Sequence, residues 1–286
     1  MKLGFIGLGK MGSVMAPRLA GLATELRGFD LNWQLPADSP VQPVSSLIAL
    51  ADCDIIFTMV PDGNAVMNII KTLVSAGTNA LFVDMSSCHP DTSRNLSSLL
   101  EDTGNRVLDA PVSGGVAKAQ TGELMIMIGG DEADFQRASP FLKAMGNPVH
   151  MGSAGAGYAM KALNNYVSAA GLVSSFQALA TAKQFGIAPS EFLKVINSST
   201  GRNNTTEVKI DKFVLTEAYN SGFALQLMTK DVSIASDIIT QNGYSLPLTD
   251  DLVTYLKEAL HHLGESPDHT EIFRHLEWLS DHNKGH

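Results

Sequence analysis

Gly155-x-Gly157-x-x-x-Lys161-x-x-Asn164-Asn165 sets one lysine and two amides into a stretch otherwise almost free of charge. At helical spacing the step from Lys161 to Asn165 puts both side chains on one face. A lone ammonium on such a helix either snorkels to water or does chemistry. The chemistry that suits it is proton transfer at oxygen. A carbinol hydroxyl must lose its proton as hydride leaves the carbon, and a carbonyl oxygen must gain one in the reverse direction. An exposed lysine is too basic to accept a proton at neutral pH, whereas burial beside a positive charge favours the free amine. Asn165 would hold the lysine or the hydroxyl in line, because a neutral amide donates and accepts without competing for the proton.

Two further sets of residues suit anions. Gly7-Leu8-Gly9-Lys10-Met11-Gly12 follows an apolar run, Lys2–Ile6, and opens a helical pattern over Ser13–Ala23. That is the setting in which G-x-G-x-x-G binds a dinucleotide: Gly7 makes the turn, Gly9 admits a pyrophosphate, Gly12 lets helix and strand pack, and Leu8 and Met11 complete the contact. Asp30 follows Gly12 by about 18 residues, where an acidic side chain accepts the ribose hydroxyls of NAD and repels the extra phosphate of NADP; a strand-end aspartate can also simply cap the next turn. Val60-Pro61 and Ser87 stand at strand ends where the nicotinamide half should lie, since ligands of such sheets gather outside the carboxyl ends of the strands. Ser113, Gly114 and Gly115 in Asp109-Ala110-Pro111-Val112-Ser113-Gly114-Gly115 can turn a hydroxyl and two N–H groups on a substrate carboxylate, or merely cap a helix.

The elements that must position these groups fall into two halves. Short apolar runs at Leu3–Ile6, Leu26–Asp30, Ile55–Val60, Ala80–Asp84, Arg106–Asp109 and Leu124–Ile128 alternate with helical patterns, which predicts βαβ units in a doubly wound parallel sheet over residues 1–152. Pro36, Pro40 and Pro43 leave little room for a crossover helix after Asp30, so that edge of an adenosine pocket should be open. From Ser153 the strand signals stop. Residues 153–286 should be all-helical: a long helix over Gly155–Phe185 stopped by Gly186, then helices at Pro189–Ser198, Glu207–Thr216, Leu227–Asn242, Leu248–Leu263 and Thr270–Leu279. A cleft between the halves would be the natural ligand site.

Composition narrows the function classes. A net charge of -9 without a run of Lys and Arg excludes a nucleic-acid backbone as the partner, while a small carboxylate needs only local cations or N–H groups. The longest apolar runs are strand-sized, which argues against a membrane span, and the glycines after Lys2 argue against a signal peptide. Two cysteines, Cys53 and Cys88, make no disulfide framework and lack zinc-ligand spacing, so a cytoplasmic, metal-free protein is expected, with Cys88 as a small filler. His261, His262, His269, His275 and His282, in charged or tail sequence, read as surface residues.

GLGKMG at 7–12, DMSSCHP at 84–90, DAPVSGG at 109–115, GxGxxxKxLNN at 155–165 and FxLxLMxKD at 223–231, in this order and spanning the chain, resemble the β-hydroxyacid dehydrogenase family, which includes 3-hydroxyisobutyrate dehydrogenase and tartronate semialdehyde reductase. The resemblance implies a Rossmann domain followed by a helical domain, homodimers or homotetramers packed through the latter, and hydride transfer between NAD and a small 3-hydroxy acid or its semialdehyde. It makes Lys161 the catalytic lysine, Asn165 its helper, Ser113, Gly114 and Gly115 the carboxylate site, and Lys230 a residue closing over the nicotinamide end; by itself Lys230 reads as a solvated cation beside Asp231. The chain looks short for a decarboxylating 6-phosphogluconate-type enzyme, and Lys161 is unlike imine reductases on the same scaffold. Gly201-Arg202-Asn203-Asn204 departs from the pattern expected of 3-hydroxyisobutyrate enzymes, and Arg202 or Asn203 would meet a second polar or anionic group of the substrate. An NAD-binding module without catalysis is the reading of another class, against which Lys161, Asn165 and Ser113 stand together.

Overall fold

The computed structural model describes residues 1–32, 36 and 38–283. By internal contacts the chain forms two compact units, Met1–Lys161 and Ala162–His286.

In the first unit, β1 (Lys2–Ile6) leads into α1 (Gly12–Met15), then β2 (Glu25–Phe29), β3 (Gln42–Pro43), β4 (Ile55–Thr58), α2 (Gly63–Ser75), β5 (Leu81–Asp84), α3 (Pro90–Leu100), β6 (Arg106–Asp109), β7 (Val112–Ser113), α4 (Gly115–Thr121), β8 (Leu124–Gly129), α5 (Glu132–Met145) and β9 (Gly146–Gly152). The sheet runs β3-β2-β1-β4-β5-β6-β8-β7, with β9 on β8. Strands β1 to β6 pair in parallel, so the order reverses direction at β1 and β4, the switch point of a Rossmann-type sheet. Both faces are covered. Ile55 and Phe57 join Leu3, Phe5, Leu81 and Val83 in one apolar cluster, and Ile56 joins Ile6, Phe82 and Val107 in the other, which is why these strands read as unbroken apolar runs.

Several expectations need correction. The helix over Ser13–Ala23 is much shorter: α1 gives way at Ala16–Leu19 to a 3-10 turn, because Pro17 has no N–H to continue the α ladder. The sheet is not wholly parallel, since β8 runs antiparallel to β6 and β7. Strands β3, β7 and β9 were not expected. After Asp30, the two-residue β3 and a 3-10 turn at Leu47–Leu50 stand in place of a crossover helix, while residues 33–35 and 37 of that segment lie outside the described residues.

The second unit is helical. It contains most of α6 (Ala156–Gln184), then α7 (Pro189–Asn197), a π-helix at Thr205–Val214, α8 (Leu225–Gln241), α9 (Pro247–Leu263) and α10 (Ile272–Asn283). Leu172, Phe176 and Leu179 of α6 pack with Met228 and Val232 of α8 and Leu252 and Leu256 of α9, each set at the three- or four-residue spacing of a helical stripe, and with Phe273 of α10. Gly186 closes α6 at φ +74°, a left-handed C-terminal stop. Two histidines are not at the surface: His269 and His275 are each only 2% exposed. Asp268 and Glu271 form a capping box that folds the His269 turn inward, and His275 lies on the inner face of α10 against Tyr255 and His262. Among the described residues no helix is long and apolar enough to cross a membrane, and no cluster of three or more His, Cys, Asp or Glu could hold a metal ion.

Candidate active site

The carboxyl ends of the central strands lie side by side, with Ile6 paired to Thr58, Thr58 to Asp84 and Asp84 to Asp109. The candidates that follow strands β1, β2, β4, β5 and β7 leave the sheet at this edge. The glycine turn follows β1, and its three glycines do different work. A Cβ on Gly7, at φ +89°, would stand 2.2 Å from Met59 O, and one on Gly12 would stand 1.9 Å from Gly7 O, so both must be glycine for the chain to close on itself. A Cβ on Gly9 would meet nothing within 4 Å. Nothing inside the described protein requires glycine there, so the backbone at Gly9 is left open to approach from outside.

Asp30 follows β2, and its Oδ2 accepts from Leu8 N at 2.6 Å while Oδ1 accepts from Asn32 N at 2.8 Å. The carboxylate is thus fastened to the glycine turn. Arg27, the cation nearest in sequence, is spent elsewhere: its guanidinium donates to Asp52 Oδ1 at 2.6 Å and to Ala49 O, and sits 3.2 Å from Glu25. The Asp52 carboxyl is held down at about 2 by Lys2 and Arg27.

The start of α6 is bound to the same sheet edge by two buried aspartates. Asp109 accepts from Gly155 N at 2.8 Å, Tyr158 N at 2.9 Å and Ser93 Oγ at 2.6 Å, so a remote carboxylate caps the first turn of the lysine's helix. Gly157 makes this approach possible, because a Cβ there would lie 2.3 Å from Met127 O and 2.8 Å from Asp109 Oδ2. Asp84 accepts from Thr58 Oγ1 at 2.7 Å, Ser86 Oγ at 2.6 Å, Ser86 N at 3.1 Å and the phenol of Tyr158. Burial raises the pKa of Asp84 against these donors and pushes the Tyr158 phenol well above its ordinary value, with the Asp84 charge adding to the effect. Ser86 Oγ in turn accepts from Val60 N at 2.9 Å, which fixes the Val60-Pro61 segment; Ser87 is half-buried next to it.

Ser113 ends β7 half-buried, and Gly114 and Gly115, at φ +133° and +66°, turn the chain into α4 with both residues exposed. Lys161 is half-buried in α6, the last residue of the first unit. In the second unit, Asn165 is buried; its Nδ2 donates to Asp231 Oδ2 at 2.6 Å and its Oδ1 accepts from Asn164 at 3.1 Å, which fixes the amide and leaves one N–H and one lone pair. Lys230 precedes Asp231 on α8, half-buried. Arg202 is exposed, with Nε 3.6 Å from Glu207. Asn203 cannot serve as expected. Its Nδ2 donates to Ser175 and Gly201, and its Oδ1 accepts from Thr205 N and Thr206 N, so the whole amide is consumed in starting the π-helix.

Residues 2–154 match the model of the NAD binding domain of 6-phosphogluconate dehydrogenase, and residues 155–276 match the model described as NAD-binding of NADP-dependent 3-hydroxyisobutyrate dehydrogenase. The chain belongs to the β-hydroxyacid dehydrogenase family. It is 33% identical to the 2-(hydroxymethyl)glutarate dehydrogenase of Eubacterium barkeri over 87% of this chain and 86% of that protein. It is also 33% identical to the 3-sulfolactaldehyde reductase of Escherichia coli, over 86% of each chain. The solved structure of Mycobacterium tuberculosis 3-hydroxyisobutyrate dehydrogenase with L-serine is similar at a TM-score of 0.85, 30% identity, and coverage of 96% of this chain and 98% of that one. This β-hydroxyacid dehydrogenase is an oxidoreductase acting on CH–OH groups, with an NAD-binding domain.

Sequence reasoning passed over Asp84, Asp109 and Tyr158, although each lies within a quoted motif. The available signal was two aspartates ending apolar strands where alternation alone would favour a neutral residue.

Proposed function

We propose that this β-hydroxyacid dehydrogenase uses NAD in preference to NADP, acts on a small 3-hydroxy acid or its semialdehyde, and moves the substrate's hydroxyl proton through Lys161. The observation that carries this reading is the anchored start of α6: Asp109 and Asp84 bind its first turn to the sheet edge at which the open-faced Gly9 turn stands, and Lys161 follows within the next turn. Bound NAD supplies the hydride acceptor, or NADH the donor. In oxidation the amine of Lys161 takes the proton of the 3-hydroxyl as the carbon–oxygen bond becomes a carbonyl; in reduction its ammonium returns a proton to that oxygen. Asn165, its amide fixed by Asp231, holds the hydroxyl in line. Ser113 and the N–H groups of Gly114 and Gly115 bind the carboxylate, and Lys230 adds positive charge at the nicotinamide end. Asp30 accepts the adenosine ribose hydroxyls and repels a 2′-phosphate, with Arg27 withheld by Asp52 and Glu25.

The division into a cofactor domain at 1–152 and a substrate and oligomerisation domain at 153–286 belongs to this reading, as do a cytoplasmic location and a homodimer or homotetramer formed by the helical unit. Support for the last is apolar surface there: Phe185 is 81% exposed, Val167 68% and Val195 63%, and α7 buries no residue. Initial rates on a panel of hydroxy acids and semialdehydes, with NAD and NADP and with Lys161→Ala, test the reading. We expect NAD-dependent turnover of a 3-hydroxy acid that falls by roughly 10²–10⁴-fold in Lys161→Ala. Turnover undiminished in that variant, or a preference for NADP, overturns it.

A further inference from the structure

Tyr158 is unusual for what it gives up. Its ring is among the largest fully buried side chains, in the cluster with Ile56 and Phe82, yet it brings a hydroxyl into that interior and meets a carboxylate there that is itself 0% exposed. Phenylalanine would fill the same space without taking a hydroxyl out of water, so packing alone does not account for the pair.

What the pair connects is specific. The hydrogen bonds converge on Asp84: Val60 N donates to Ser86 Oγ, Ser86 Oγ donates to Asp84 Oδ1, and Tyr158 donates to Asp84 Oδ2. Thr58 Oγ1 and Ser86 N complete the donor set on Oδ1. Val60, Ser86 and Thr58 belong to the ends of β4 and β5, where the nicotinamide half of the cofactor is expected. Tyr158 belongs to α6, and Lys161 follows it by three residues, nearly one helical turn. The main chain at the same residue is held by Asp109, through Tyr158 N at 2.9 Å. One residue is therefore gripped at its amide and at its hydroxyl by two strand-end carboxylates in direct register. A helix held at one point can rock; held at two it keeps its rotation, and rotation about the axis decides where the lysine's nitrogen lies.

We propose that Tyr158 is a positioning residue for Lys161: by donating to Asp84 it sets the rotation of α6 against the Val60–Ser87 edge, and with it the placement of the amine that moves the substrate proton. The inference rests on Lys161 being the proton-transfer residue. Misplacement by an ångström of a group that reacts in line costs up to about 10²-fold in rate, so a lost anchor should appear in turnover and much less in binding.

Tyr158→Phe removes the hydroxyl and keeps the ring. We expect kcat per NADH-binding site to fall tenfold to a hundredfold, KM for NAD and for the hydroxy acid to stay within about twofold, and the D2O effect on kcat to grow as proton transfer becomes limiting. A merely structural role would lower the number of active sites and leave kcat per site and the D2O effect unchanged. Asp84→Asn, which keeps the shape and removes the charge, should move the same quantities in the same direction and serves as the test if Tyr158→Phe does not fold. In a Lys161→Ala background, Tyr158→Phe should cost nothing further, since the hydroxyl acts through the lysine. A kcat per site within twofold of the parent in Tyr158→Phe, or a full additional loss in the Lys161→Ala background, overturns the proposal. Undiminished turnover in Lys161→Ala alone overturns instead the reading on which it rests.

Discussion

Asp84 and Asp268 are both carboxylates drawn into the protein, one at a strand end of the first unit and one ahead of α10 in the second, and their surroundings differ. Asp84 is wholly buried with donors on both oxygens, supplied by strands in register and by the phenol of Tyr158. Asp268 accepts from Ser221 Oγ, Gly222 N, Thr270 N and Thr270 Oγ1, all from turns, and its neighbour His269 leaves Nε2 buried without a partner. His269 Nδ1 lies 3.0 Å from Phe223 O, which can only accept, so the ring is protonated at Nδ1 and the orphan is a lone pair. Register between strands can saturate a carboxylate with main-chain and hydroxyl donors whose positions are set by the sheet; converging turns do this for the carboxylate but not for the imidazole beside it. A saturated network can hold a helix in place, while the incomplete one is where solution conditions act.

The sharpest test of that contrast is truncation of each carboxylate. Asp84→Ala strands Thr58 Oγ1, Ser86 N and the Tyr158 phenol in the interior, and should cost on the order of 3 kcal/mol or more of unfolding free energy in urea. Asp268→Ala removes a cap whose side chain keeps some access to water, and should cost about 1–2 kcal/mol. A larger loss from Asp268→Ala would reverse the comparison.

Acid should separate the two regions next. Burial, with the Lys209 charge adding, lowers the His269 pKa to about 4, while Asp268 opposes the shift. The Lys209 ammonium is itself lowered to about 8 by burial. A folded-state pKa below the unfolded value means that the unfolded chain takes the proton first. Stability is therefore unaffected above the ordinary histidine pKa of about 6.5 and declines as pH falls from there toward 4, by an amount on the order of 3 kcal/mol. Asp84 works in the other direction: its raised pKa lets the folded state accept a proton before the unfolded chain does, so acid does not undermine the fold through this group. His269→Asn should flatten the decline between pH 6.5 and 4 in urea titrations, and an unchanged slope would remove His269 as its origin.

The same contrast explains how far the sequence could be read. Strands buried on both faces, such as Ile55–Thr58, announce themselves as apolar runs, and α6 through α10 through their stripes, so the Rossmann-type sheet and the helical half were legible. β9 was not, because Pro148 interrupts it and alternate residues face water. The Tyr158–Asp84 bond joins residues 74 apart, which no local pattern encodes. His269 was misjudged although Asp268-x-x-Glu271 has the spacing of a capping box, a sign of an ordered helix start; the run of charged residues around it outweighed that signal.

The smallest expected effect lies at the surface, where neither kind of network operates. Arg202 sits 63% exposed opposite a half-exposed Glu207, and water screens that pair. Arg202→Ala should therefore change unfolding free energy by no more than about 0.5 kcal/mol, far below either aspartate. A guanidinium with so little invested in the fold is free to serve recognition, since its fork can close on a second carboxylate or a sulfonate of the substrate. The variant should then lose about threefold to tenfold in kcat/KM for dianionic hydroxy acids relative to monoanionic ones. That corresponds to roughly 0.7–1.4 kcal/mol of discrimination, the range of a single partly exposed charge contact. If the order of preference across the panel does not move, Arg202 is a solvated loop residue.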